Sequence, residues 1–256
     1  MKPSEFASVL QRYLRTPTFP IGFKFVKDLS EVPEKARKIE DITICQGYNL
    51  ARYYRWTVFV DRNTVCPIGL IAYGLAKPDK LYESGEIAVA GGYAENTEVG
   101  KKLEKEIVKL DYGEYIGFIA FPLERDEAEP DIVVVHGLPA QILRLVHAVL
   151  YDTGGALETK ILGRASCSEY LEAFVERKPR FVLTCYGERI FGLTQDYEVS
   201  FAFPWEMADK IARNLERTHR MGIRYPVPFS GLRTKPILSE KYIESLENIR
   251  KELSSE

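Results

Sequence analysis

Residues 180–204 read RFVLTCYGERIFGLTQDYEVSFAFP. One apolar run, Arg180–Thr184, closes on Cys185; Gly187 and Gly192 punctuate a polar middle; a second run, Glu198–Phe203, closes on Pro204. Two short strands flanking a glycine-bearing turn are the expected reading. The same marks stand earlier in the chain. TVFVDRNTVC (57–66) closes on Cys66, Pro67-Ile68-Gly69 follows, and YIGFIAF (115–121) closes on Pro122. Tyr73-Gly74-Leu75 matches Phe191-Gly192-Leu193, and Phe121-Pro122-Leu123-Glu124 matches Phe203-Pro204-Trp205-Glu206, with Tyr115 and Tyr197 in step before each Phe. Upstream, Cys45 opens the helical pattern QGYNLARYY and Cys167 opens SEYLEAFVE.

The cysteine marks recur about 120 residues apart, and the first copy carries about 36 extra residues between Leu75 and Tyr115. Two copies of a helix–strand–turn–strand unit are expected, as halves 16–130 and 131–238 of one domain spanning 1–256, with a terminal helix over 239–256. Such units pair their sheets and bury one core, and a pocket at their joint is a natural ligand site.

Working outward, apolar spacing predicts helices over Pro3–Arg15, Gln46–Tyr54, Glu95–Leu110, Pro139–Tyr151, Ser168–Glu176, Trp205–His219 and Glu240–Leu253. Alternation predicts a strand at Ile21–Val26, and short apolar runs predict strands at Thr57–Asp61, Ile87–Ala90 and Asp131–Val135. Tyr115–Phe121 and Asp131–Val135 are expected to pair around the acidic turn Glu124–Pro130. Strands mixed with helices define an α/β fold of mixed α+β type.

Composition narrows the function classes. The 256 residues carry 35 Lys+Arg against 37 Asp+Glu, a net charge of −2, so no basic excess points to nucleic acid. A 45% hydrophobic chain can bury a core, and no apolar run approaches the roughly 20 residues of a membrane span. The first 20 residues carry Glu5, Gln11 and two arginines, unlike a secretory signal. Four cysteines are too few for a disulfide framework, and the reducing cytoplasm is the expected setting. Walker, dinucleotide, HExxH and GxSxG patterns are missing from the sequence.

The cysteines are the soft ligands on offer. Ser166-Cys167-Ser168-Glu169 has a capping-box pattern that places Cys167 at the first position of a helix, and Cys45 is similarly set. A helix start stabilises a thiolate. Cys66 and Cys185 are read at strand ends before glycine turns, where backbone can approach a ligand. Thiolates so held suit an iron–sulfur cluster or zinc, or thiol chemistry; buried small hydrophobes are the alternative. Spacings of 21, 101 and 18 residues supply no local metal knuckle, so only the fold can gather the four.

Other candidates are polar. Arg189, between Glu188 and a second acidic stretch, suits a carboxylate or phosphate, or pairs internally with Asp196 or Glu198. His136 ends a strand before a helix, where α/β proteins place ligands. His147 is read as a satisfied core residue and His219 as solvated. Arginines 213, 217, 220 and 224 form a locally basic stretch that reads as an exposed helix end or an anion site.

CYGERIFGLTQDYEVSFAFP (185–204) resembles the C-terminal signature of the domain-of-unknown-function 169 family. The stretch from Cys45-Gln46 to Cys66-Pro-Ile-Gly69 is similar to the N-terminal signature of the same family, apart from Cys-Pro-Ile-Gly where a more glycine-rich turn is usual. The resemblance implies a prokaryotic protein and brings no reaction with it.

The resulting expectation is a protein that binds a small ligand or cofactor at the joint of the halves, an iron–sulfur cluster first. Cys45, Cys66, Cys167 and Cys185 are the candidate metal ligands, and Arg189, His136, Gly187, Glu188 and Gly69 the candidate ligand-binding residues. A small-anion binding module with structural cysteines and a thiol-dependent enzyme are the alternatives. Neither enzyme activity nor oligomeric state follows from the sequence.

Overall fold

The computed structural model describes residues 1–227 and 238–254. The first unit, Met1–Pro226, runs α1 (Pro3–Tyr13), β1 (Ile21–Val26), β2 (Arg37–Lys38), α2 (Ile44–Tyr54), β3 (Val58–Asp61), α3 (Pro67–Ala72), α4 (Lys80–Glu83), α5 (Glu86–Ala90), α6 (Thr97–Glu106) and β4 (Gly117–Pro122). It continues β5 (Ile132–Gly137), α7 (Pro139–Leu150), α8 (Ser166–Val175), β6 (Arg180–Val182), α9 (Tyr186–Phe191), β7 (Val199–Pro204) and α10 (Ala208–Arg220). The second unit, Val227–Glu256, contains α11 (Glu240–Leu253). The expected second half reaches into residues 228–237, and the expected terminal helix into 255–256, both outside the described residues.

Period-two alternation builds a two-sided sheet. In β5, Ile132 and Val134 face one core cluster while Val133 and Val135 face the other; in β4, Phe118 and Ala120 oppose Ile119 and Phe121. In β7, Ala202 opposes Phe201 and Phe203, and in β3 Val58 and Val60 oppose Phe59. A sheet apolar on both faces must be covered on both, and it is. α2, α3 and α8 contribute Ile44, Tyr48, Ile71, Tyr170 and Leu171 to one side; α1, α7 and α10 contribute Phe6, Leu10, Leu145, Ile211 and Leu215 to the other. The fold is a mixed α/β sandwich.

The strand order is β2-β3-β4-β1-β5-β7-β6. Every pairing is antiparallel except β2–β3. The three longer strands before residue 130 lie as β3-β4-β1 and the three after it as β6-β7-β5, joined where Ile21 meets Val134 across β1–β5. β4 and β7 both end on proline, Pro122 and Pro204, and both run into a single 3-10 turn.

Several expectations change. β4 and β5 do not pair around the acidic turn, because β1 lies between them. Ile87–Ala90 is helix, not strand: Gly85 in the left-handed region (φ 83°) starts α5, which packs with α6. The helix expected over Glu95–Leu110 is confined to Thr97–Glu106, opened by the Asn96 side chain accepting from Val99 N–H. Among the described residues, no helix is long and apolar enough to cross a membrane.

Candidate functional site

Four helix starts set the four cysteines. α2 begins with a capping box: Thr43 Oγ1 accepts from Gln46 N–H at 3.2 Å, and Gln46 Oε1 accepts from Thr43 N–H at 2.8 Å. Cys45 is thereby the second residue of α2. Cys167 is the second residue of α8, not the first: Ala165, at φ 54°, is the N-cap and Ser166 the first helical residue. Glu169 does not reach back to cap Ser166; its Oε1 accepts from Leu162 N–H at 3.1 Å. Cys66 and Cys185 are not at strand ends. Each is the N-cap of a six-residue helix, with Sγ accepting from Gly69 N–H at 3.3 Å and from Glu188 N–H at 3.4 Å. Periodicity missed α3 and α9 because six residues are too few to show a period of 3.6.

All four cysteines, 140 residues apart at the extremes, line one cavity of about 170 Å³. Thr43, Ile68, Tyr93, Arg164, Ser166, Gly187, Glu188 and Phe191 complete its walls. Taking about 30 Å³ per water, the space equals half a dozen waters, well under the ~300 Å³ at which drug-sized pockets begin. That volume suits a metal centre or a molecule of a few atoms. A larger groove of about 770 Å³ runs between α1 and the loop to β1, but its lining of Gln11, Arg12, Thr16, Thr18, Phe19 and Glu124 holds no thiol or histidine.

The thiols sense one another. Burial pushes Cys45 up to about 12, and the nearby Glu188, Cys66 and Cys185 add to the rise. Burial raises Cys167 well above its ordinary value, with further rises from Cys66, Cys185 and Cys45. Burial raises Cys66 as well, against the Gly69 N–H that lowers it. A nucleophilic thiolate at neutral pH is therefore disfavoured at Cys45, Cys66 and Cys167. The same shifts arise wherever several cysteines share a dry site whose protons a metal would displace. Among the described residues, no three His, Cys, Asp or Glu side chains are arranged to hold a single metal ion.

Behind the cavity lies a dry polar network. Glu188 Oε2 accepts from Ser166 Oγ at 2.6 Å; Oε1 meets His136 Nε2 at 2.8 Å and accepts from Thr194 Oγ1 at 3.1 Å. Tyr170 donates to the same carboxylate at 3.2 Å and lies 2.8 Å from Ser200 Oγ. Burial and the Arg52 charge lower His136, so the neutral ring donates its Nε2–H to Glu188. Burial would raise Glu188, but the bond from His136, the Ser166 hydroxyl and Arg52 hold it below the usual carboxylate range. Ser166 and His136 sit on opposite oxygens of Glu188, so the carboxylate is central and the imidazole does not face the serine as it would in a Ser-His-Asp triad.

The remaining candidates are spread out. Glu188 and Gly187 line the cavity, and Gly69 supplies only the N–H that Cys66 accepts. His136 is one layer behind, occupied by Glu188. Arg189 makes neither pair expected of it with a carboxylate; it donates to the backbone carbonyls of Gln195 and Glu198. Glu198 is taken by Arg52 at 2.9 Å. Sequence reading missed Tyr93 and Arg164, whose guanidinium lies 4.8 Å over the Tyr93 ring and bonds Glu104 at 2.8 Å. Gly91-Gly92 beside Tyr93 was the available signal. His147 is half-buried with Nδ1 unpartnered, not a satisfied core residue. His219 is not solvated but half-buried, its ring 5.1 Å from that of Tyr13.

A two-sided sheet with four helix-start cysteines at one cavity defines the class: a mixed α/β protein whose thiols are gathered at one place. The family model DUF169, described as uncharacterised ArCR, matches residues 9–214, and the chain belongs to that family. It is 31% identical over 202 residues to the uncharacterized protein MJ0308 of Methanocaldococcus jannaschii, covering 77% of this chain and 86% of that protein. No solved structure matches the chain.

Proposed function

We propose that this protein binds a small thiolate-ligated cofactor in the four-cysteine cavity, an iron–sulfur cluster first, in a reducing cytoplasm. One observation carries the reading: all four cysteines of the chain line a single cavity. Buried cysteines filling a core as small hydrophobes have no reason to converge from four helix starts.

Local chemistry favours an anionic occupant. Cys45 and Cys167 stand in the first turns of α2 and α8, where free N–H groups and the helix dipole favour negative charge. The N–H···S bonds from Gly69 and Glu188 are of the kind that stabilise cluster sulfurs. Ile68, Phe191 and Tyr93 keep the walls largely apolar. Because the side chains are not arranged for one ion, loading requires the thiols to turn inward and shed their protons, which an iron–sulfur core drives by replacing them.

The order of elements supports the two-half reading of the site. β1, α2, β3, α3 and β4 precede one proline-ended turn; β5, α8, β6, α9 and β7 precede the other. β2 and α4–α6 are extra in the first series and α7 in the second. Each series supplies one first-turn cysteine and one N-cap cysteine.

Anaerobic expression, or reconstitution with ferrous iron and sulfide, tests the cofactor. Near-stoichiometric iron and visible absorbance that disappears in a Cys66→Ser, Cys185→Ser variant are expected. Colourless, iron-free protein after both treatments sinks the cluster reading.

A further inference from the structure

Four arginines are buried among the described residues: Arg52, Arg144, Arg164 and Arg180. Three have carboxylates. Arg52 meets Glu198 at 2.9 Å, Arg164 meets Glu104 at 2.8 Å, and Arg180 meets Glu172 at 2.8 Å. Arg144, 2% exposed, meets none: Nη1 donates to Thr218 Oγ1 at 2.8 Å, Nη2 to the Leu215 carbonyl at 3.0 Å, and Nε has no partner. Buried charges are ordinarily paired, because a hydroxyl and a carbonyl do not replace the hydration a guanidinium loses.

Among the described residues no carboxylate pairs with Arg144, and Asp152 and Asp209 are taken by Lys210 and the N-terminal amine. His147 follows Arg144 by one turn of α7, and His219 follows Thr218 in α10, the helix that packs on both α7 and α1. Both imidazoles have an unpartnered, buried Nδ1. Tyr13 of α1 lies against the His219 ring, and Arg224 Nε donates to the His219 carbonyl at 3.2 Å. α7 carries no acidic residue over 139–150, and Glu216 of α10 is occupied by Arg220. Burial and the neighbouring Arg144 lower His147, and burial with Arg224 and Arg144 lowers His219. The site is a buried cation with donor-capable neighbours and no counter-ion.

We propose that Arg144, His147 and His219 bind a small oxyanion on the α1/α7/α10 side of the sheet. The guanidinium supplies the charge, the imidazoles supply further N–H donors, and the anion supplies the missing partner. The locally basic run ending at Arg224 attracts the anion to this side. The site is independent of the four-thiol cavity and stands whether or not a cluster binds there.

Titration calorimetry of the full chain with inorganic phosphate and with glycerol phosphate, against chloride at matched ionic strength, tests this. One saturable site is expected, and stronger binding of the ester would assign an organic phosphate as the source. Arg144→Met should weaken binding by about tenfold or more while leaving the four thiols titratable as before. His219→Ala, at a half-buried position, should weaken it several-fold and serves if Arg144→Met does not fold. No saturable heat with wild-type protein at millimolar phosphate, or unchanged affinity in the variants, overturns the proposal.

Discussion

On one face of the sheet Arg52 is met by Glu198; on the other Arg144, equally withdrawn from water, is met by a hydroxyl and a carbonyl. The first face also carries Glu188, His136, Tyr170 and Ser200 in one connected set, while the second is closed by Phe6, Phe121, Phe201 and Phe203. Burial alone therefore does not say whether an arginine holds a fold together. What matters is the group left behind when it is removed. Arg52 leaves a charged Glu198, 2% exposed, still accepting from Gln195 N–H. Arg144 leaves only neutral partners.

Replacing each arginine by methionine breaks this comparison most directly. Arg52→Met should cost about 3–5 kcal/mol, because a buried carboxylate loses its partner. Arg144→Met in chloride buffer should cost under about 1.5 kcal/mol or stabilise, since an apolar chain replaces the arginine stem and no buried charge is left unpaired. Chemical denaturation curves measure both. Equal losses would show that the Thr218 and Leu215 contacts compensate Arg144 as fully as a carboxylate compensates Arg52.

The apolar side of this comparison was legible in the sequence and the charged side was not. Alternation in IGFKFV, the continuous apolar run of DIVVV, and the helical spacing of Phe6, Leu10 and Leu14 report burial through residue type alone. The paired marks at Cys66 and Cys185 also lie on corresponding elements, since both cysteines cap short helices. Three-dimensional partnership is what sequence withholds. Arg52 and Glu198 are 146 residues apart, and Glu188, a candidate ligand residue in the sequence, has a carboxylate that organises Ser166, His136 and Thr194, partners no local pattern announces. The convergence of the cysteines depends on helix ends brought together by the sheet order, for which spacings of 21, 101 and 18 residues give no local signal.

A smaller effect separates the faces by pH. Cys45 and Cys167 start from 9.0 and are raised by burial, so the native state resists losing their protons while the unfolded chain loses them freely. Their stabilisation is complete below pH 9 and is lost as pH rises toward the native values, about 12 for Cys45. At pH 10 each thiol should cost about 1.4 kcal/mol relative to pH 7, some 3 kcal/mol for the pair. Tyr48, Tyr73 and Tyr170, raised by burial from 10.0, add to the loss only at higher pH. Denaturation midpoints of the cofactor-free protein should fall from about pH 9 in the wild type. In a Cys45→Ala, Cys167→Ala variant the fall between pH 9 and 10 should shrink to the part that Cys66 contributes; a fall of unchanged size would mean that Cys45 and Cys167 ionise without penalty.

The smallest effect concerns access within the cysteine face itself. Cys66 and Cys185 are partly exposed, Cys45 and Cys167 buried, so alkylation of the cofactor-free protein by iodoacetamide should label the first two ahead of the second two. Tyr93 lies at the same cavity, held over Arg164, which Glu104 anchors in turn. Removing its ring by Tyr93→Ala widens the approach without touching a sulfur, and the Arg164–Glu104 pair keeps the guanidinium in place. Labelling of Cys66 and Cys185 should then accelerate several-fold, while Cys45 and Cys167 stay slow, because their protection comes from burial at the first turns of α2 and α8 rather than from the tyrosine. Mass spectrometry of time-resolved digests reads all four sites in one sample. If Tyr93→Ala leaves every rate unchanged, reagents already enter by another side, and the tyrosine packs against the wall without covering the thiols.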